Sequence, residues 1–151
     1  MDKDSLMTEQ EQRQKVIDIA LTWEKTRYHH AARVKGVGVD CVNFVAAVYE
    51  EAGLVPHMVF PYYPPDFMNH RSEEKILNVI LQYAVPVETP GPGDIALFKF
   101  GRSGSHVAIV IEWPLIIHAY ADIGVVVRSD VERIERLKTR LMGCYSFWGK
   151  K

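Results

Sequence analysis

The stretch Gly36-Val37-Gly38-Val39-Asp40-Cys41-Val42-Asn43-Phe44-Val45-Ala46-Ala47-Val48 changes character at Asp40. Before Asp40, alternating glycines make a flexible approach. After it, Val42, Phe44, Val45, Ala46, Ala47 and Val48 are apolar nearly all round a helical wheel, the pattern of a buried helix. Asp40 is a good N-cap, so the helix is expected over Cys41–Ala52, with Gly53 as its C-terminal stop. Cys41 then occupies the first helical position. There the positive end of the helix dipole favours a thiolate, whereas a free thiol with a pKa of about 8.5 is mostly protonated at neutral pH. The Cys41 amide has no intrahelical partner and is available to an oxyanion. A small buried hydrophobe opening a core helix is the alternative reading of Cys41.

Outward from this helix the chain divides in two. On the N-terminal side, Thr8-Glu9-Gln10-Glu11 fits a capping box. Val16, Ile19, Ala20 and Trp23 continue it as an amphipathic helix to about Lys25. Residues 26–40 read as irregular, and prolines 56, 61, 64 and 65 make Leu54–Phe67 a loop. Ser72–Tyr83 reads as a second short helix capped by Ser72, with Ile76, Leu77 and Ile80 as its core stripe. After the breaker Pro90-Gly91-Pro92-Gly93 the pattern becomes strands: Ile95–Phe100, His106–Ile111, Leu115–Tyr120, Gly124–Arg128 and Cys144–Trp148, with a helical turn at Val131–Leu137. Helices followed by strands predict an α+β fold, N-terminal helices packed on an antiparallel sheet of about five strands.

The 151 residues, 48% hydrophobic and 25% charged, suit one compact domain, and no repeat or linker divides residues 1–151. With a net charge of -1 and no basic cluster, no nucleic-acid partner is expected. No run approaches the ~18 apolar residues of a membrane span. Met1–Gln14 is polar and lacks a leader's apolar core, so the chain is expected to stay in the cytoplasm as synthesised. Two cysteines, Cys41 and Cys144, make no disulfide framework, and Cys144 reads as core. His29, His30, Cys41, His57 and His70 match no compact zinc spacing, so no zinc site is expected.

Two histidines sharpen the reading of Cys41. His106 opens the apolar strand Val107-Ala108-Ile109-Val110-Ile111, and His118 lies in Ile116-Ile117-His118-Ala119-Tyr120. If Glu112-Trp113-Pro114 is a three-residue turn, Ile111 pairs with Leu115 and Ala108 with His118. The two histidines then share a face as diagonal neighbours about 7–8 Å apart, within bonding reach of two imidazoles. A one-residue slip would separate them. The small Ala108 beside His118 is expected to let the Cys41 helix press on that same face. This is the logic of nucleophile, base and orienting group.

Together, Tyr28, Gly38-Val39-Asp40-Cys41, Pro92-Gly93-Asp94-Ile95, Ser105-His106-Val107-Ala108-Ile109 and Ile117-His118-Ala119 resemble the NlpC-type, papain-like cell-wall peptidase family, from about Trp23 to Trp148. Tyr28-His29-His30, Lys35–Cys41 and His70-Arg71-Ser72-Glu73-Glu74 look most like its branch encoded beside phage and prophage tail genes. The resemblance implies hydrolysis of peptide bonds in peptidoglycan stems, with tail proteins as partners and delivery in a virion tail or release by lysis. It implies no metal or organic cofactor. It implies Cys41 as nucleophile, His106 as base, His118 as orienting group and Tyr28 as an aid at the oxyanion. Asp40, Val42, Ser105 and Tyr63 are expected beside the substrate. Tyr63, with Tyr62 and Phe67, either lines a groove or simply packs over the helix. Where the family commonly reads Asp-Cys-Ser-Gly, this chain has Val42 and Asn43 after the cysteine, and Arg27 replaces a proline before the tyrosine. The same site would also serve an amidase or an acyl transfer, and an idle tail component is the reading from a different class.

Overall fold

The computed structural model describes residues 7–58, 70–100 and 105–149. Helix α1 spans Glu9–Leu21, followed by a two-stranded ribbon of β1 (Arg33–Val34) and β2 (Gly38–Val39), helix α2 (Cys41–Glu51) and helix α3 (His70–Tyr83). Then come β3 (Val85–Val87), β4 (Ile95–Lys99), β5 (Ser105–Glu112), β6 (Leu115–Tyr120) and β7 (Val125–Asp130), a 3-10 turn at Val131–Arg133, α4 (Glu135–Arg140) and β8 (Leu141–Ser146). The α+β fold predicted from the sequence is the fold found. No helix among the described residues is long and apolar enough to cross a membrane.

The helix ends follow from local chemistry. The Thr8 hydroxyl oxygen accepts the Glu11 amide at 3.1 Å. Its proton goes to the Glu11 carboxylate, also at 3.1 Å, so Glu11 reaches back to the hydroxyl. Helix α1 stops at Leu21, short of Lys25: the Thr22 hydroxyl bonds the Ile19 carbonyl, and Lys25 is left-handed at φ 74°. Helix α2 closes as a Schellman motif, with Gly53 at φ 77°, its amide on the Glu50 carbonyl and the Leu54 amide on the Tyr49 carbonyl. Helix α3 starts at His70, so Ser72 lies inside it. The Ser72 side chain, expected as a cap, is outside the described residues, as are residues 59–69 with Tyr62, Tyr63 and Phe67.

The main sheet has six strands in the order β3-β8-β4-β5-β6-β7, where about five were expected. Strands β4 to β7 form the predicted meander. The extra strand β3 is three residues on an edge, and its central Pro86 hid it from a propensity reading. Strand β8 pairs antiparallel with both β3 and β4, starting and ending earlier than expected. The residues read as irregular before Asp40 contain the β1–β2 ribbon.

Both faces of the sheet are covered. On one, Val16, Ala20, Phe44 and Val48 of α1 and α2 pack against Ile95, Leu97, Val107, Ile109, Ile117, Ala119 and Val126. On the other, Ala96, Phe98, Ala108, Val110, Ile116 and Tyr120 pack under Val131 and Leu137. Burial on both faces explains why β4 and β5 read as unbroken apolar runs instead of alternating. At one corner Arg13 of α1 donates to Asp94 at 2.9 Å and to the Pro92 carbonyl, and stacks over Trp148 at 4.4 Å. Arg13 thus joins the first helix to the Pro92-Gly93-Asp94 turn and, at Ser146, to the end of β8.

Candidate active site

Asp40 caps α2 from an extended backbone, φ -102° and ψ 178°. Its Oδ1 accepts the Asn43 amide at 2.9 Å and the Asn43 side-chain amide at 3.0 Å. Its Oδ2 accepts the Ala31 amide at 2.8 Å. The carboxylate expected beside substrate is therefore buried and engaged by the chain's own amides. Asn43 in turn accepts from the Arg33 guanidinium at 3.0 Å, which ties the ribbon to the helix start.

Cys41 is 4% exposed at the first position of α2. Burial pushes its thiol up to about 12, and the Asp40 carboxylate pushes the same way. The backbone amides of Val107, Val42 and Cys41 itself favour the thiolate and pull it down, but they lose. Where the helix start is expected to favour a thiolate, burial and the Asp40 carboxylate hold the thiol protonated. Cys144, also buried, is raised to about 11, so its thiol is no less acidic. Tyr28 is bridged to Val39 beside the helix start. Burial raises its hydroxyl pKa, and Cys41 and Asp40 both add to that, which places Tyr28 within their electrostatic reach.

The two histidines meet. His106 Nε2 lies 2.7 Å from His118 Nδ1, with ring centroids 5.0 Å apart. Ile109 faces Ile117 and Val110 faces Ile116, which extrapolates to Ala108 beside His118 as expected. The turn differs: Glu112 pairs with Leu115 across Trp113-Pro114, and Ile111 is the extra residue of a bulge. Strand β5 pairs with β4 from Ser105 onward, but its ladder with β6 starts at Ile109↔Ile117. Ahead of that point the side chains of His106 and His118 bridge the strands.

One expectation about this face is overturned. Helix α2 does not press on the Ala108 face; it packs on Val107 and Ile109, while Ala108 faces the second cluster. The His106 ring lies on that second side, stacked on Phe100 at 4.9 Å and near Phe98 and Tyr120. The thiol reaches β5 from the first side, at the Val107 amide. The thiol therefore lies on the Val107 side of β5 and the His106 ring on the Ala108 side, near where β5 and β6 part.

Burial holds His106 well below the ordinary imidazole range, helped by His118 and by Arg136, whose guanidinium sits 4.1 Å over the Phe100 ring. Burial alone brings His118 down to about 3. Both rings rest neutral, and so does the Cys41 thiol. A residue missed in the sequence completes the chain: Ser129 Oγ lies 2.8 Å from His118 Nε2. The signal was present in the alternation of β7, where Val127 faces His118 and Ser129, two residues on, shares that face. Of the other residues expected at substrate, Val42 is half-buried against the first cluster. Ser105 is buried, its hydroxyl without a hydrogen-bond partner among the described residues. Tyr63 is outside the described residues. Among those described, no three His, Cys, Asp or Glu side chains are grouped so as to hold a metal ion.

Residues 25–143 match the NlpC/P60 family. The chain belongs to that family. Solved structures agree in fold. NlpC2 from Trichomonas vaginalis superposes with a TM-score of 0.69 at 16% identity, over 99% of this chain and 51% of its own. An NLP/P60 protein similar to lipoprotein from Staphylococcus aureus gives 0.67 at 18% identity, over 99% and 46%. The peptidoglycan hydrolase RipB from Mycobacterium tuberculosis gives 0.56 at 16% identity, over 95% and 69%. This chain thus spans about half the length of the first two. No curated protein matches it in sequence.

Proposed function

We propose that this NlpC/P60 chain is a cysteine peptidase acting on peptidoglycan stem peptides, with Cys41 as nucleophile and His106 as its base. The observation that carries the reading is the bonded His106–His118 pair at the start of β5, whose next residue, Val107, packs in one buried cluster with Cys41 and through its amide lowers the thiol pKa. That peptidoglycan hydrolases share the fold supports the substrate class.

A neutral thiol and a neutral imidazole suit proton transfer during attack. As Sγ forms its bond to the scissile carbonyl carbon, His106 takes the thiol proton. The carbonyl oxygen becomes an oxyanion at the helix start, near the Cys41 amide and the Tyr28 hydroxyl. The imidazolium, steadied by His118, then gives its proton to the leaving amine as the C–N bond breaks. Water, deprotonated by His106, next attacks the acyl thioester and frees Cys41. In this proposal Asp40 and Val42 flank the nucleophile, and Ser105 and Tyr63 meet the substrate.

The likeness of residues 28–30, 35–41 and 70–74 to the phage-tail branch supports delivery in a virion tail with tail proteins as partners. Co-sedimentation of the chain with tail particles tests that part. The chemistry is tested by mass spectrometry of muropeptides released from purified peptidoglycan by wild type and by Cys41→Ala. Stem-peptide fragments from wild type alone are expected. Sugar-linked amide cleavage would reassign the enzyme as an amidase, and no release by wild type would leave an inactive component of the same fold.

A further inference from the structure

We propose that Ser129 is a positioning residue that sets the tautomer of His118 and, through it, makes His106 able to take a proton. The inference rests on the function proposed above for its consequence, but its physical content does not. Two neutral imidazoles and a hydroxyl stand in one buried row, with contacts of 2.7 Å from His106 Nε2 to His118 Nδ1 and 2.8 Å from His118 Nε2 to Ser129 Oγ. Each neutral ring carries one N–H, and each contact needs one proton between its two heavy atoms. Only two patterns satisfy both contacts.

In the first, His106 donates from Nε2 to His118 Nδ1, and His118 donates from Nε2 to the Ser129 oxygen. This leaves a lone pair on His106 Nδ1, the base that the mechanism needs. In the second, Ser129 donates to His118 Nε2, and His118 donates from Nδ1 to His106 Nε2. His106 must then carry its proton on Nδ1 and cannot accept another there. When His106 becomes an imidazolium, it keeps its Nε2–H toward His118, so only the first pattern passes through the reaction without a tautomer change. Ser129 makes the first pattern accessible by offering an acceptor to an N–H on a ring that is 0% exposed. Without that acceptor, a buried N–H would go unsatisfied, whereas an idle ring nitrogen lone pair costs less, and the second tautomer takes over.

Threonine and valine at this position are nearly the same size, and only threonine keeps the hydroxyl. Ring-nitrogen NMR of the 15N-histidine-labelled protein is expected to show His118 protonated at Nε2 in wild type and in Ser129→Thr. In Ser129→Val the proton should move to Nδ1, with turnover on peptidoglycan about tenfold lower or more. Melting curves of the two variants, matched in packing change, separate this from unfolding. Wild type protonated at His118 Nδ1, or a valine variant whose spectrum matches wild type, would overturn the proposal. Because the nitrogen spectrum needs no substrate, a wild type that cleaves nothing counts against the proposed function, and the tautomer still judges Ser129.

Discussion

At Cys41 three backbone amides pull the thiol toward ionisation while burial and the Asp40 carboxylate push it the other way. Asp40 is thus both the cap that builds the helix start and a charge that disfavours an anion there. Asp40→Asn separates these roles, because asparagine caps as well as aspartate. Alkylation of Cys41 by iodoacetamide at pH 7 is expected to speed up, about tenfold for each pKa unit recovered. The side-chain nitrogen cannot accept from the Ala31 amide, so the variant should also lose about 1–3 kcal/mol of stability. An unchanged labelling rate would show that Asp40 has no electrostatic hold on the thiol. The position of Cys41 at a capped helix start was legible in the sequence. Its protonation state was not, since burial depends on Val107 and on strands more than sixty residues away.

Among elements, α2 was read nearly to the residue because every local signal agreed: Asp40 for its start, an apolar run for its burial, Gly53 for its end. Gly53→Ala is expected to cost about 1–2 kcal/mol, since alanine resists φ 77°, and to leave alkylation of Cys41 at its wild-type rate. Urea denaturation measures the first and thiol labelling the second; unchanged stability would mean that α2 ends without its left-handed residue. The pairing of β5 with β6 was also legible, because His106 and His118 lie an even number of residues apart across a turn. Which face α2 covers was not. A strand buried on both sides carries apolar residues at Val107 and at Ala108 alike, so its sequence does not say which row meets the helix. Likewise nothing local in Leu141–Ser146 announces that β8 inserts between β3 and β4.

For the whole molecule, the buried neutral histidines set an acid limit. A histidine whose folded pKa lies below its unfolded value of about 6.5 binds fewer protons folded than unfolded, so stability falls as pH drops below that value. His118, brought down to about 3, loses about 1.4 kcal/mol per pH unit through that window, and His106 adds to it in the same direction. Urea midpoints between pH 7 and pH 4 should therefore fall steeply, and His118→Gln should flatten the fall. A midpoint constant over that range would mean that the rings are protonated in the folded state. The order of helices first and strands second was plain from the sequence and sufficed for the fold class. The corner where Arg13, Asp94 and Trp148 meet was not, because it joins positions 13, 94 and 148 that share no local pattern.

Strand β5 divides the proposed site between two interiors, with the sulfur on the side of α1 and α2 and the His106–His118–Ser129 row on the side of α4. Each half answers to its own neighbours. Descendants of this chain are therefore free to rewrite the residues around α2, as Val42 and Asn43 already depart from the common pattern, without repacking that row. Only the few backbone atoms of β5 between them must be inherited unchanged in shape.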